Sequence, residues 1–68
     1  MNISYNKLWK LLIDRNMTKT DLRIKADINS ATLAKMGKDL PVSMETIIKI
    51  CKVLQCDVED VLEIKENL

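Results

Sequence analysis

An all-α fold of five short helices is predicted for this chain, on three observations. Apolar residues recur at helical spacing along most of its 68 residues. It holds one Gly, one Pro and two aromatics (Tyr5 and Trp9), too few of the turn formers and aromatics that β-rich folds require. Hydrophobic residues make up 47% and charged residues 31%, a balance that fills a core and solvates helical surfaces. A chain this short is expected to form a single domain, 1–68, near the lower size for folding without staples.

The first helix, about 5–15, places Tyr5, Leu8 and Leu12 at i, i+3 and i+7, with Leu11 widening the stripe. Asn16 can end it, because Asn tolerates the left-handed conformation. Thr18 stands three residues before Asp21, a capping-box spacing with Asp in place of Glu or Gln. It starts a second helix, about 19–26, anchored by Leu22 with Met17 packing from outside. Asp27, Ile28 and Asn29 make a turn with Ile28 buried, and Asn29 or Ser30 caps a third helix, about 30–36. There Leu33 and Met36 point inward, leaving Ala31, Thr32, Ala34 and Lys35 outward. Residues 37–41 hold the chain's Gly and Pro and read as a loop. Ser43 caps a fourth helix, about 44–54, whose Ile47, Ile50, Cys51 and Leu54 give the strongest helical pattern in the chain. After a turn at 55–57, a fifth helix at 58–62 directs Val58, Val61 and Leu62 inward, and 63–68 is a tail expected to fray.

Composition narrows function by exclusion. There is no His to serve as a base, no Gly-rich phosphate loop, and no activating partner for Ser or Cys, so an enzyme is not expected. Neither a metal nor another cofactor is expected. Asp57, Glu59 and Asp60 read as favourable charges opening the fifth helix rather than as a metal site. Cys51 and Cys56 read as small reduced hydrophobes. No apolar run reaches the length of a membrane span and no signal peptide is visible, so a cytoplasmic protein without membrane contact is expected.

The net charge of +1 conceals an asymmetry. Residues 1–38 carry eight Lys or Arg against three Asp, an excess of +5, whereas residues 39–68 carry three Lys against seven Asp or Glu, an excess of −4. One half therefore suits a polyanion and the other is kept from it. The basic half contains the helix pair at 17–38. A helix entering the major groove needs small or polar residues at its outer N-terminal face, apolar residues inward and cations at the flanking phosphates. Ser30, Ala31 and Thr32 supply the first, Leu22, Ile28, Leu33 and Met36 the second, and Lys19, Lys35 and Lys38 the third.

Thr18-Lys19-Thr20-Asp21-Leu22 followed by Ile28-Asn29-Ser30-Ala31-Thr32-Leu33 resembles the bihelical core of the Cro/repressor (Xre-like) class of helix-turn-helix proteins. The segment 50–61, ICKVLQCDVEDV, resembles a compact bacterial and phage branch of that class, so the likeness spans about 4–64. It implies a five-helix, lambda-repressor-like domain that binds double-stranded DNA as a transcriptional regulator, usually a repressor acting as a homodimer on an operator. By position, the resemblance assigns Ser30, Ala31, Thr32 and Lys35 to the bases or groove wall and Lys19, Thr20 and Lys38 to phosphates, and Asn29 is read as DNA-binding beside them. Many members of the class carry Gln where this chain has Lys19, Ala at Arg23, Gly at Asp27 and a long polar reader at Ser30. Ser30 and Ala31 are short, which shifts specificity toward thymine-methyl contacts and DNA shape. The acidic segment 58–68 is the expected dimer surface, away from DNA. The alternative is a module of the same fold, antirepressor-like or antitoxin-like, that binds a regulatory protein partner.

Overall fold

The computed structural model describes residues 2–65. Its order is β1 (Asn2–Ser4), α1 (Asn6–Asp14), α2 (Lys19–Lys25), α3 (Ser30–Gly37), α4 (Met44–Leu54), a single 3-10 turn (Val58–Asp60) and β2 (Glu63–Lys65). The fold is mostly helical, with the first four expected helices in place.

The expected fifth helix is corrected. Five residues at 58–62 offer too few i to i−4 hydrogen bonds to offset helix nucleation, and the segment closes as one 3-10 turn. Asp57 N–H donates to Asp60 Oδ2 at 3.1 Å, so these two of the acidic trio cap this turn locally. Val58, expected inward, is 41% exposed, while Val61 is fully buried and Leu62 half-buried.

The strictly all-α expectation and the fraying tail are also corrected. Residues Glu63–Lys65 pair antiparallel with Asn2–Ser4 in the register Asn2 with Lys65, Ile3 with Ile64 and Ser4 with Glu63. The pairing brings the N-terminal strand alongside the segment that follows the 3-10 turn and closes the base of the domain. The rest of the expected tail, 66–68, lies outside the described residues.

Tyr5, Leu8, Leu12, Leu22, Ala26, Ile28, Met36, Ile47, Ile50, Leu54 and Val61 form one buried cluster drawn from all four helices and the segments joining them. Tyr5 is 1% exposed and ties distant parts together: its O–H donates to the Leu40 carbonyl at 2.8 Å and its N–H to Asp39 Oδ1 at 3.3 Å. The loop leaving α3 is thereby fastened to the start of α1.

All four helices end alike. Asn16, Asp27, Asp39 and Gln55 have φ of 52–57°, the left-handed region, and each is followed by a backbone bond that spans the helix end. These run from Met17 N–H to Leu12, Ile28 to Arg23, Leu40 to Lys35 and Cys56 to Cys51, at 2.9–3.1 Å. This is the Schellman arrangement, which satisfies carbonyls that a helix end would otherwise leave open.

The N-termini are equally explicit. Thr18 and Asp21 form the expected capping box, with Asp21 N–H donating to Thr18 Oγ1 at 3.0 Å and Thr18 N–H to Asp21 Oδ2 at 2.9 Å. Ser43 Oγ accepts from Thr46 N–H at 3.2 Å. Thr18→Ala should cost about 1 kcal/mol, measured by denaturant unfolding. The Thr18 N–H and hydroxyl hold the Asp21 carboxyl below its ordinary 3.8. A lowered folded pKa means that Asp21's contribution is complete above 3.8 and is lost as pH falls through the lowered value. Acid unfolding of Asp21→Asn should therefore show a shallower decline than wild type over that range; identical acid limbs would refute the assignment.

Candidate nucleic-acid interface

Helices α2 and α3 pack against one another, and α2 also rests on α4. Leu22 is the buried residue of α2 and Met36 that of α3, while Ile28 in the turn between them is 7% exposed. These side chains fix the pair on the core. Asp27, with φ of 54°, makes the turn in place of the Gly common in the class, and Arg23, where the class often has Ala, stays half-buried. Ile24 is 63% exposed, off the apolar stripe of α2.

Asn29, not Ser30, caps α3: its Oδ1 accepts from Thr32 N–H at 2.7 Å. Its carbonyl oxygen is thus committed within the chain, leaving the Nδ2 amide as its free donor. Ser30 and Ala31 are exposed in the first turn. Thr32, expected to face outward, is half-buried because it lies on the same side of the helix as Met36 four residues on. Leu33, expected inward, is likewise only half-buried. The outward face is instead formed by Ala31, Ala34, Lys35 and Lys38, at i, i+3, i+4 and i+7 and all exposed. Ala34 belongs to this face although the site read from sequence omits it; its spacing from Ala31 is the signal that includes it.

Lys38 lies just beyond α3, its N–H donating to the Lys35 carbonyl at 3.0 Å. Lys19 and Thr20 are exposed in the first turn of α2. The Lys19 ammonium sits 4.3 Å from the centroid of the Trp9 ring, so it is turned to α1 rather than toward α3. Trp9 is half-buried, packs on the core and holds this cation by its π face. The duty of Trp9 as a seat for Lys19 depends on α1 and α2 being adjacent and has no linear signal.

Among the described residues, no group of three or more His, Cys, Asp or Glu is placed to hold a metal. No helix among them is long and apolar enough to cross a membrane.

Two helices joined by a tight turn, the second capped and presenting short residues between cations, define a helix-turn-helix. Residues 7–67 match the family of Cro/C1-type HTH DNA-binding domains, and the chain belongs to that family. Among solved structures, a crystal form of the transcriptional regulator VanUg superposes with a TM-score of 0.89 at 48% identity, covering 91% of this chain and 83% of that one. No curated protein matches the chain.

Proposed function

We propose that this protein is a sequence-specific transcriptional regulator, a repressor that binds an operator in double-stranded DNA as a homodimer. The observation that carries the reading is the face of α3: exposed Ser30, Ala31, Ala34 and Lys35 on a helix whose N-terminus Asn29 caps. Such a face enters a major groove without steric obstruction and places a cation at its edge. Its likeness at 48% identity to a protein described as a transcriptional regulator supports the regulatory role. Lys35 and Lys38 meet phosphates beside the reader helix, and Lys19 and Thr20 meet them at the start of α2. Ser30 and Ala31 read the groove wall and thymine methyls, and the Asn29 amide and Thr32 hydroxyl face its entrance.

A single module of this kind buries about 600–1,000 Å² on DNA, which favours two copies on half-sites about one helical turn apart. The acidic segment at the far end, including Val58 and the residues after it, is the proposed contact between copies.

Binding to duplexes from the gene's own genomic neighbourhood, titrated against salt, tests the reading. Affinity should fall steeply with salt, and Lys35→Ala should reduce the logarithmic slope by about one unit. Absence of binding to every such duplex at low salt would overturn it, and capture of a stoichiometric protein partner would then favour the protein-interaction alternative.

A further inference from the structure

The Schellman ends of the four helices differ in one chemical respect. In this motif the side chains at the two ends of the spanning hydrogen bond are brought together, usually as an apolar contact. At α1 the pair is Leu12 and Met17, an ordinary packing contact next to the core. At α4 the pair is Cys51 and Cys56, joined by the Cys56 N–H to Cys51 carbonyl bond of 3.1 Å across the left-handed Gln55. Both thiols are free and half-buried. Burial, followed by the neighbouring Cys51 sulfur, pushes the Cys56 thiol up to about 11. It therefore stays protonated at neutral pH, which disfavours reactions that begin with a thiolate attack.

Cys51 and Cys56 line an open groove of about 480 Å³ together with Ile48, 46% exposed, Val58, 41% exposed, and the polar Lys52, Gln55, Asp57 and Asp60. With no set of three metal-ligating side chains among the described residues, a partner that requires two sulfurs and no third protein ligand fits this arrangement.

We propose that Cys51 and Cys56 form a dithiol site for monosubstituted trivalent arsenicals, with the organic substituent lying on Ile48. The chemistry is a condensation on the hydrated arsenical, which carries two As–OH groups: each As–OH bond is replaced by an As–S bond, each thiol proton leaves with the departing hydroxide, and two waters are released. Arsenic remains trivalent, sulfur is not oxidised and no co-reactant is consumed. Neutral thiols serve, because the leaving hydroxide accepts the proton. Fixing both sulfurs at one helix end makes the second condensation intramolecular, which raises affinity over a single thiol by about 10²-fold or more.

The test uses the reduced full chain with phenylarsine oxide, followed by intact-mass measurement and thermal unfolding. One arsenical should bind per chain, resist excess glutathione and be removed by a small dithiol such as dimercaptopropanol. Binding to a site arranged in the folded state should also raise the melting midpoint. Cys51→Ser and Cys56→Ser should each lose the glutathione-resistant adduct, with apparent affinity falling about 10²-fold or more. Circular dichroism identifies variants that remain folded, and Gln55→Gly, which keeps both thiols and the left-handed turn, should bind as wild type does. A wild-type adduct stripped by glutathione, an unchanged midpoint, or a single-Ser variant that retains the resistant adduct would overturn the proposal. None of these readouts involves DNA, so failure here leaves the DNA-binding reading untouched.

Discussion

Leu22→Ala should lower the melting midpoint by at least about 10 °C and leave a substantial unfolded population at ambient temperature. Leu22 is 0% exposed and is the buried residue of α2, so the seven-residue helix has no second deep anchor of its own. Truncating a buried Leu to Ala costs about 2–5 kcal/mol, the upper part of that range applying where the surroundings cannot collapse into the void. Here the surrounding residues belong to four helices that share one small core, and inward movement of α2 would pull on its capping box and on the turn at Ile28. A domain of this size has a total stability of only about 5 kcal/mol, so the loss is a large fraction of the whole. DNA affinity should fall with it, since α3 is supported by α2. Thermal unfolding followed by circular dichroism checks the prediction, and a midpoint within a few degrees of wild type would refute the account of α2.

Ala31→Glu should have the opposite profile, abolishing DNA binding while the fold stands. Ala31 is exposed in the first turn of α3, and a carboxylate near a helix N-terminus interacts favourably with the helix dipole. The melting midpoint should therefore be unchanged or slightly higher. Against a groove walled by phosphates, the same carboxylate creates a like-charge contact costing several kcal/mol, so affinity should drop about 100-fold or more. Ala34→Glu, one turn further along the same face, should reproduce the effect. Paired melting and DNA-titration curves separate the two quantities. Retained binding by a folded Ala31→Glu protein would remove this face of α3 from the interface.

The parts of the fold legible in the sequence are those whose signals are local. Thr18 and Asp21 announce a capping box three residues apart, Asn16 marks a helix end, and the stripe of α4 runs over eight residues, from Ile47 to Leu54. The strands were not legible because a three-residue strand has no period to read, and its partner lies some sixty residues away at the far end of the chain. The segment at 58–62 misled for a related reason: its apolar spacing suits a helix, but its length decides against one, and the pairing of Glu63–Lys65 draws the chain off in another direction. On the candidate face, the outward positions of Ala31 and Lys35 follow from helical spacing, whereas Lys38 reads as part of the loop at 37–41 and its place on the face does not. The half-burial of Thr32 and the seating of Lys19 on Trp9 depend on which neighbour each helix meets, and spacing does not carry that information.

The helix ends also bear on how the chain folds. Four residues hold left-handed backbone without being glycine, while the single glycine, Gly37, lies within α3, where a Cβ would meet nothing within 4 Å. Each left-handed L-residue carries about 1–2 kcal/mol of local steric strain, less for the Asn and Asp at three of the sites. In return, no turn contributes the broad backbone freedom of glycine to the denatured ensemble, so ordering it forfeits less conformational entropy. This small domain thus accepts strain in the native state at its corners and gains a narrower unfolded state, a trade that matters most where the core is too small to offset a large entropic loss.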